Sequence, residues 1–197
     1  RCPHGEECFA ELARERTKNV DIVVTNHALL AIDALAEVAV LPEHHAVVID
    51  EAHELDGRIT SVATSEISAR ALAMAARRAG KLGAERDTLE NVIDDFTAAI
   101  DLEAPGRWEV ISEPARGAFA ALRDALWTTR TAISDAPPGE SENDPETFAE
   151  RANLRNHLED LHDAVVRILE VFDEADPAKH SDVVWLTRSE RYGDSVS

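Results

Sequence analysis

The feature that most constrains the fold is a stripe late in the chain: Leu154, Leu158, Leu161, Val165, Ile168 and Phe172. The steps alternate between four and three residues, which puts all of them on one narrow face of an α-helix. Large apolar side chains on one face need an apolar partner, so a long helix starting near Glu146 must sit in a hairpin or bundle. Other stretches offer matching faces. Leu89, Val92, Ile93, Phe96 and Ile100 predict an amphipathic helix over 86–102, stopped by Pro105-Gly106. Phe119, Leu122 and Leu126 predict another over 114–133, with Trp127 beside the stripe. An alanine-rich run over 68–80, carrying Leu72 and Met74 and followed by Gly83, predicts a third. The Pro-, Gly- and acid-rich stretch 136–145 reads as a mobile loop, and Asp176-Pro177 ends the last helix. Helical character thus runs from about Glu54 to Asp182.

The two ends read differently. Phe9 to Arg16 predicts a short helix. Ile22-Val23-Val24 and Ala46-Val47-Val48-Ile49 are short apolar runs that predict buried strands, with a helix over 28–39 between them and Pro42 beyond it. Asn26 and His27, at the end of the first run, suit either a ligand site or the start of that helix, with Asn26 as N-cap. The second run leads straight into Asp50-Glu51-Ala52-His53. Strand, helix, strand is the order of a parallel α/β sheet, whose strands present their carboxyl ends to ligands. Strand character returns at Val183–Leu186, with a hairpin turn predicted over Arg191-Tyr192-Gly193-Asp194. The expected fold class is therefore mostly α: a helical bundle or hairpin inserted between fragments of a parallel α/β domain.

Charge narrows the functions open to the chain. Against 20 Lys and Arg stand 39 Asp and Glu, a net charge of −19, which excludes a chain whose main surface grips a phosphate backbone. No apolar run approaches a membrane span and no secretory pattern is present, which predicts a cytoplasmic protein with no membrane partner. The chain opens Arg1-Cys2 and its sole methionine is Met74, so it reads as a piece of a longer protein. Cys2 and Cys8 are the only cysteines, with Pro3 and Gly5 between them; without a secretory signal a disulfide is disfavoured. Even with His4 they fall short of the ligand set of a zinc or iron–sulfur site, so a metal role needs ligands from elsewhere. Gly80-Lys81 lacks the earlier glycine and the following Ser or Thr of a phosphate-binding loop. His44-His45 reads as a solvated turn, and His157 and His162 fall on different helix faces. The acid pairs Asp94-Asp95, Glu159-Asp160 and Asp173-Glu174 read as solvated surface, while Trp108, Trp127 and Trp185 suit core, interface or base stacking alike.

Three elements in a fixed order carry a resemblance. Cys2-Pro3 through Cys8, then Asp21-Ile22-Val23-Val24-Thr25-Asn26-His27-Ala28-Leu29-Leu30, then Val47 through Leu55 with its Asp-Glu-Ala-His box, together resemble the DinG/XPD-like iron–sulfur DNA helicases of superfamily 2. The resemblance implies that Asp50 holds the magnesium of ATP through its waters, that Glu51 orients the attacking water, and that His53 couples nucleotide to nucleic acid. Oxygen donors suit that hard cation, and the water needs a positioned acceptor. It implies that Cys2 and Cys8 are two of four ligands to a [4Fe–4S] cluster, the other two lying upstream. The implied domains are the end of the iron–sulfur domain (1–18), motor domain 1 with the Walker B box (19–55), a helical arch (56–181) and a return to motor domain 1 (182–197). The implied activity is ATP-driven 5′-to-3′ movement on single-stranded or forked DNA in repair or replication. Lacking a phosphate-binding loop, the segment alone is expected neither to hydrolyse ATP nor to unwind DNA, and its acidity predicts weak or no DNA binding. Motif detail covers residues 2–55; the arch rests on position and helical pattern. Ser61-Val62-Ala63-Thr64 follows the box too soon to be a further helicase motif. The rival reading is an acidic helical interaction or regulatory module without a catalytic role, for which the arch would supply the protein-binding surface.

Overall fold

A computed structural model of the chain describes residues 8–35, 39–134, 144–189 and 193–197. The fold is mostly helical and divides into two compact units, Arg1–Thr64 and Ser65–Ser197.

In the first unit, α1 (Phe9–Thr17) and α2 (His27–Leu35) are followed by a 3₁₀ turn (Ala52–Glu54) that runs into α3 (Leu55–Ala63). The helix expected over 28–39 is α2, and Asn26 does cap it: Asn26 Oδ1 accepts the Leu29 N–H at 2.8 Å. Asp33, near the end of α2, accepts the N–H groups of Val40 and Leu41 at 2.6 and 2.7 Å. Those two hydrogen bonds, from Leu41 first and then Val40, hold its carboxyl below the ordinary value. α2 packs on α3, yet only Ala31 is fully buried among the described residues of this unit.

The strands expected at Ile22–Val24 and Ala46–Ile49 do not form. A β-branched run becomes a strand only when a neighbour completes its ladder, and neither run has one among the described residues. Val24 stands 92% exposed and Val48 97%. The only sheet among the described residues is antiparallel rather than parallel, and it belongs to the second unit.

That second unit contains β1 (Ile67–Ser68), α4 (Ala69–Lys81), α5 (Arg86–Asp101), β2 (Gly106–Trp108), α6 (Glu113–Ala132), α7 (Pro145–Val171), β3 (Val184–Thr187) and β4 (Ser195–Val196). The predicted stripe on α7 is buried throughout, against Phe119, Leu122 and Leu126 of α6. α5 adds Leu89, Ile93, Phe96 and Ile100, and α4 adds Leu72 with three alanines. The Phe119 ring meets Phe96 edge-on at 5.1 Å and Trp108 at 6.4 Å.

The sheet order is β1-β4-β3-β2. Gly106, Arg107 and Trp108 stand opposite Leu186, Trp185 and Val184, and Val196 stands between Leu186 and Ile67. Val184 and Leu186 point into the core while Trp185 and Thr187 point out, the alternation a half-buried strand requires. The strand character expected near Val183 is thus real, and it pairs inside this unit. Gly193 takes φ +81° in the β3–β4 connection; Arg191 and Tyr192 of the expected turn lie outside the described residues, as does most of the loop expected over 136–145.

Most helix ends of this unit are closed by side chains; α5 starts without such a cap. Ser68, Ser112 and Asp144 accept N–H groups at the starts of α4, α6 and α7. At the carboxyl ends, arginines from elsewhere in the chain donate to the last carbonyls, where a cation also meets the negative end of the helix dipole. Arg116 reaches Phe172 O at 2.7 Å after α7. Arg188 reaches Asp101 O at 3.1 Å and Glu103 O at 2.6 Å after α5. Arg151 lies between Leu82 O and Ile133 O, after α4 and α6, at 3.4 Å from each. No described helix is long and apolar enough to cross a membrane.

Candidate functional site

The site is built where two segments end. The apolar run 22–24 leads to Asn26 and His27, and the run 46–49 leads to Asp50 and Glu51. His27, the first residue of α2, donates from Nε2 to the backbone carbonyl of Asp50 at 2.8 Å. A carbonyl only accepts, so Nε2 carries the proton. Residues 23 apart in sequence are thereby joined.

The peptide between the two acids is held at both polar groups. Its carbonyl takes the His27 proton, and its N–H, that of Glu51, donates to Asp50 Oδ1 at 3.0 Å. Glu51 itself sits in the left-handed region, φ 50° and ψ 45°, the only non-glycine among the described residues with positive φ. Such a backbone costs a side-chain-bearing residue about 1 kcal/mol or more and persists where the surroundings fix it. Beyond the kink, Glu54 N–H donates to Glu51 O at 2.9 Å, closing the 3₁₀ turn that starts α3. His53 Nδ1 lies 3.3 Å from Glu51 Oε2, with both side chains more than half exposed, so water screens the pair.

Asp50, Glu51 and His53 therefore lie together in one exposed turn, as their spacing requires. Asp50 Oδ1 accepts an N–H while Oδ2 is not engaged by it; a carboxylate presented this way fits a hard, hydrated cation. Cys8 is a partly exposed free thiol at the start of α1, and Cys2 and His4 lie outside the described residues. Among the described residues no three His, Cys, Asp or Glu side chains converge as a metal site, so these residues alone do not build a cluster centre.

Elsewhere the structure removes candidates. Gly80 and Lys81 are the last residues of α4, so their N–H groups serve the helix and cannot cradle a phosphate. Ser61 to Ala63 close α3, and the Thr64 hydroxyl donates to Thr60 O at 2.7 Å. Trp108 is core, donating from Nε1 to Ala104 O at 3.0 Å, whereas Trp127 and Trp185 are half exposed. Trp127 has the Arg130 guanidinium 5.0 Å from its ring and His162 at 5.3 Å, with Glu159 on Arg130 at 2.9 Å. The contact that the sequence does not reveal is His27 to Asp50; its signal is the histidine beside the capping asparagine, a pair for which the sequence favours the helix start over a ligand site.

Comparison with known proteins bears on this turn and its surroundings. Residues 2–72, which hold both cysteines and the acidic box, match the DEAD_2 family. The chain is 51% identical over 115 residues to the ATP-dependent helicase DinG of Mycobacterium tuberculosis, covering 57% of this chain and 17% of that protein. Over this stretch the chain is similar to ATP-dependent helicases of the DinG kind. It is also 26% identical over 144 residues to the ATP-dependent DNA helicase YoaA of Haemophilus influenzae, covering 64% of this chain and 22% of that one. With YoaA of Escherichia coli it shares 31% identity over 75 residues, 36% of this chain and 12% of that protein. It spans about a fifth of the length of these relatives or less. No solved structure matches it.

Proposed function

We propose that the chain is part of an ATP-dependent DNA helicase in which the Asp50–His53 turn is the magnesium and water half of the ATP site. The observation that carries this reading is the family match over residues 2–72, which contains the acidic turn, joined to the exposed, pinned geometry of that turn. Asp50 holds magnesium through its waters. Glu51 orients the water that attacks the γ-phosphate, and His53, within reach of Glu51, relays nucleotide state toward the nucleic acid. Magnesium neutralises charge on the phosphates when ATP is bound; these residues place it and aim the water. The phosphate-binding loop comes from another part of the protein.

In this reading residues 1–18 end an iron–sulfur domain, 19–55 belong to motor domain 1 and 56–181 form a helical arch, while 182–197, whose strands pair with β1 and β2 of the arch's own unit, lead back toward motor domain 1. Cys2 and Cys8 supply two thiolates to a [4Fe–4S] cluster whose other ligands lie outside this chain. Exposure of Val24 and Val48 supports the motor assignment, since strands of a parallel sheet bury both faces once their neighbours are present. The substrate is single-stranded or forked DNA in repair or replication, travelled 5′-to-3′, in the cytoplasm. The acidic arch contributes little phosphate contact, in keeping with the net charge of −19, and is the surface most suited to a protein partner.

Asp50→Asn and Glu51→Gln in the full-length protein test the site. Each is expected to abolish DNA-stimulated ATP hydrolysis, by about a hundredfold or more, while leaving the protein folded. Wild-type turnover in both variants would sink the reading in favour of an acidic interaction module. The 197-residue chain alone is expected to show no magnesium-dependent ATPase above its own Asp50→Asn control.

A further inference from the structure

We infer that His27 is a positioning residue for the Asp50–Glu51 peptide, and that turnover depends on its Nε2–H donating to the Asp50 carbonyl. The inference rests on reading Asp50 and Glu51 as the magnesium and water residues. The helix does not need the His27 side chain. Asn26 already caps α2 through Oδ1 to the Leu29 N–H at 2.8 Å, and the Asn26 carbonyl takes the Leu30 N–H at 3.2 Å. The imidazole points instead across the chain to Asp50 O, 2.8 Å away.

The orientation of that one peptide sets both acids. Its N–H holds Asp50 Oδ1 at 3.0 Å, which fixes how the carboxylate is turned. Its plane also sets φ of Glu51, which stands at 50° and aims the Glu51 side chain. Rotating the peptide would release the first contact and carry Glu51 out of the left-handed region toward the conformations that ordinary residues prefer. His27 is the group from outside the turn that holds the carbonyl against this rotation. Because α2 also packs on α3, which begins at Leu55, the same histidine ties the acidic turn to the helix pair on which it is mounted.

The full-length protein is assayed for steady-state ATP hydrolysis with His27→Leu, His27→Gln and His27→Asn, beside Glu51→Gln. His27→Leu is expected to lower kcat about tenfold to a hundredfold, the usual cost of losing a partner that orients a ligand or a reacting group, with KM for ATP little changed. The Gln amide N–H can reach the carbonyl and should recover most of kcat; the Asn amide is one methylene short and should not. Should the Leu variant lose its cooperative thermal transition, the Gln and Asn variants decide, because they differ only in reach. Equal turnover of those two, or wild-type turnover in His27→Leu while Glu51→Gln is inactive, would overturn the inference and leave the site reading standing. Wild-type turnover in Glu51→Gln would overturn the site reading and this inference with it.

Discussion

The two units of the chain invert each other. The first holds every residue assigned a chemical role and has one fully buried side chain, Ala31, among its described residues. The second holds the continuous core, with most of its helix ends closed by side chains, and brings no three potential metal-ligating side chains together among its described residues. Within the second unit each element is stabilised by others of the same unit. Within the first, the apolar runs face water, and order is concentrated in a few hydrogen bonds: Asn26 to Leu29, Asp33 to Val40 and Leu41, His27 to Asp50. A reactive turn can be set by a handful of polar contacts; a body needs buried area.

The largest effect that would test this contrast is core truncation. Phe119→Ala removes a ring in contact with Phe96 and Trp108 and should cost the second unit about 3–5 kcal/mol in denaturant unfolding, whereas Val48→Thr should change stability by under about 0.5 kcal/mol. A costly Val48→Thr would mean that the first unit has a core of its own. Next in size, Arg188→Met removes the donor to Asp101 O and Glu103 O and should cost about 1–2 kcal/mol, seen as a lower chemical midpoint with unchanged slope. Ser112→Ala, losing the cap on α6, should cost about 1 kcal/mol. The smallest effect is in pH. Hydrogen bonds from Thr147, the hydroxyl first and then the N–H, hold the Asp144 carboxyl below its ordinary value. Its contribution is present once an unfolded carboxyl is ionised, above about pH 3.9, and is lost as the pH falls through the lower folded value. An Asp144→Asn variant should therefore show a shallower loss of stability than wild type below that pH, and none of this difference between pH 5 and 7.

What was legible in the sequence follows the same division. The α7 stripe, the α5 and α6 faces and the Asn26 cap depend on residues within a few positions of one another, and each is found where local pattern puts it. α3 lies within the stretch expected to be helical but has no periodic face of its own, because Gly57, Ile59, Thr60 and Val62 are poor helix formers; it is carried by packing on α2. β1 and β2 are two and three residues long and exist through partners more than 75 positions away, which no local pattern reports. The runs at 22–24 and 46–49 show the converse: the pattern of a buried strand is there, but a ladder needs neighbours. Asp50, Glu51 and His53 were legible as a motif, while the His27 contact that fixes their peptide required the fold.

One pairing in the sheet has a practical side. Ile67 near the start of the second unit and Val196 near its end are direct partners in antiparallel strands, so their Cα atoms stand about 5 Å apart. Everything between them is a loop closed at its base by two hydrogen-bonded residues. Such a body can be lifted out and its flanks rejoined by a tight turn, or transplanted into the exposed loop of another protein, without stretching either host.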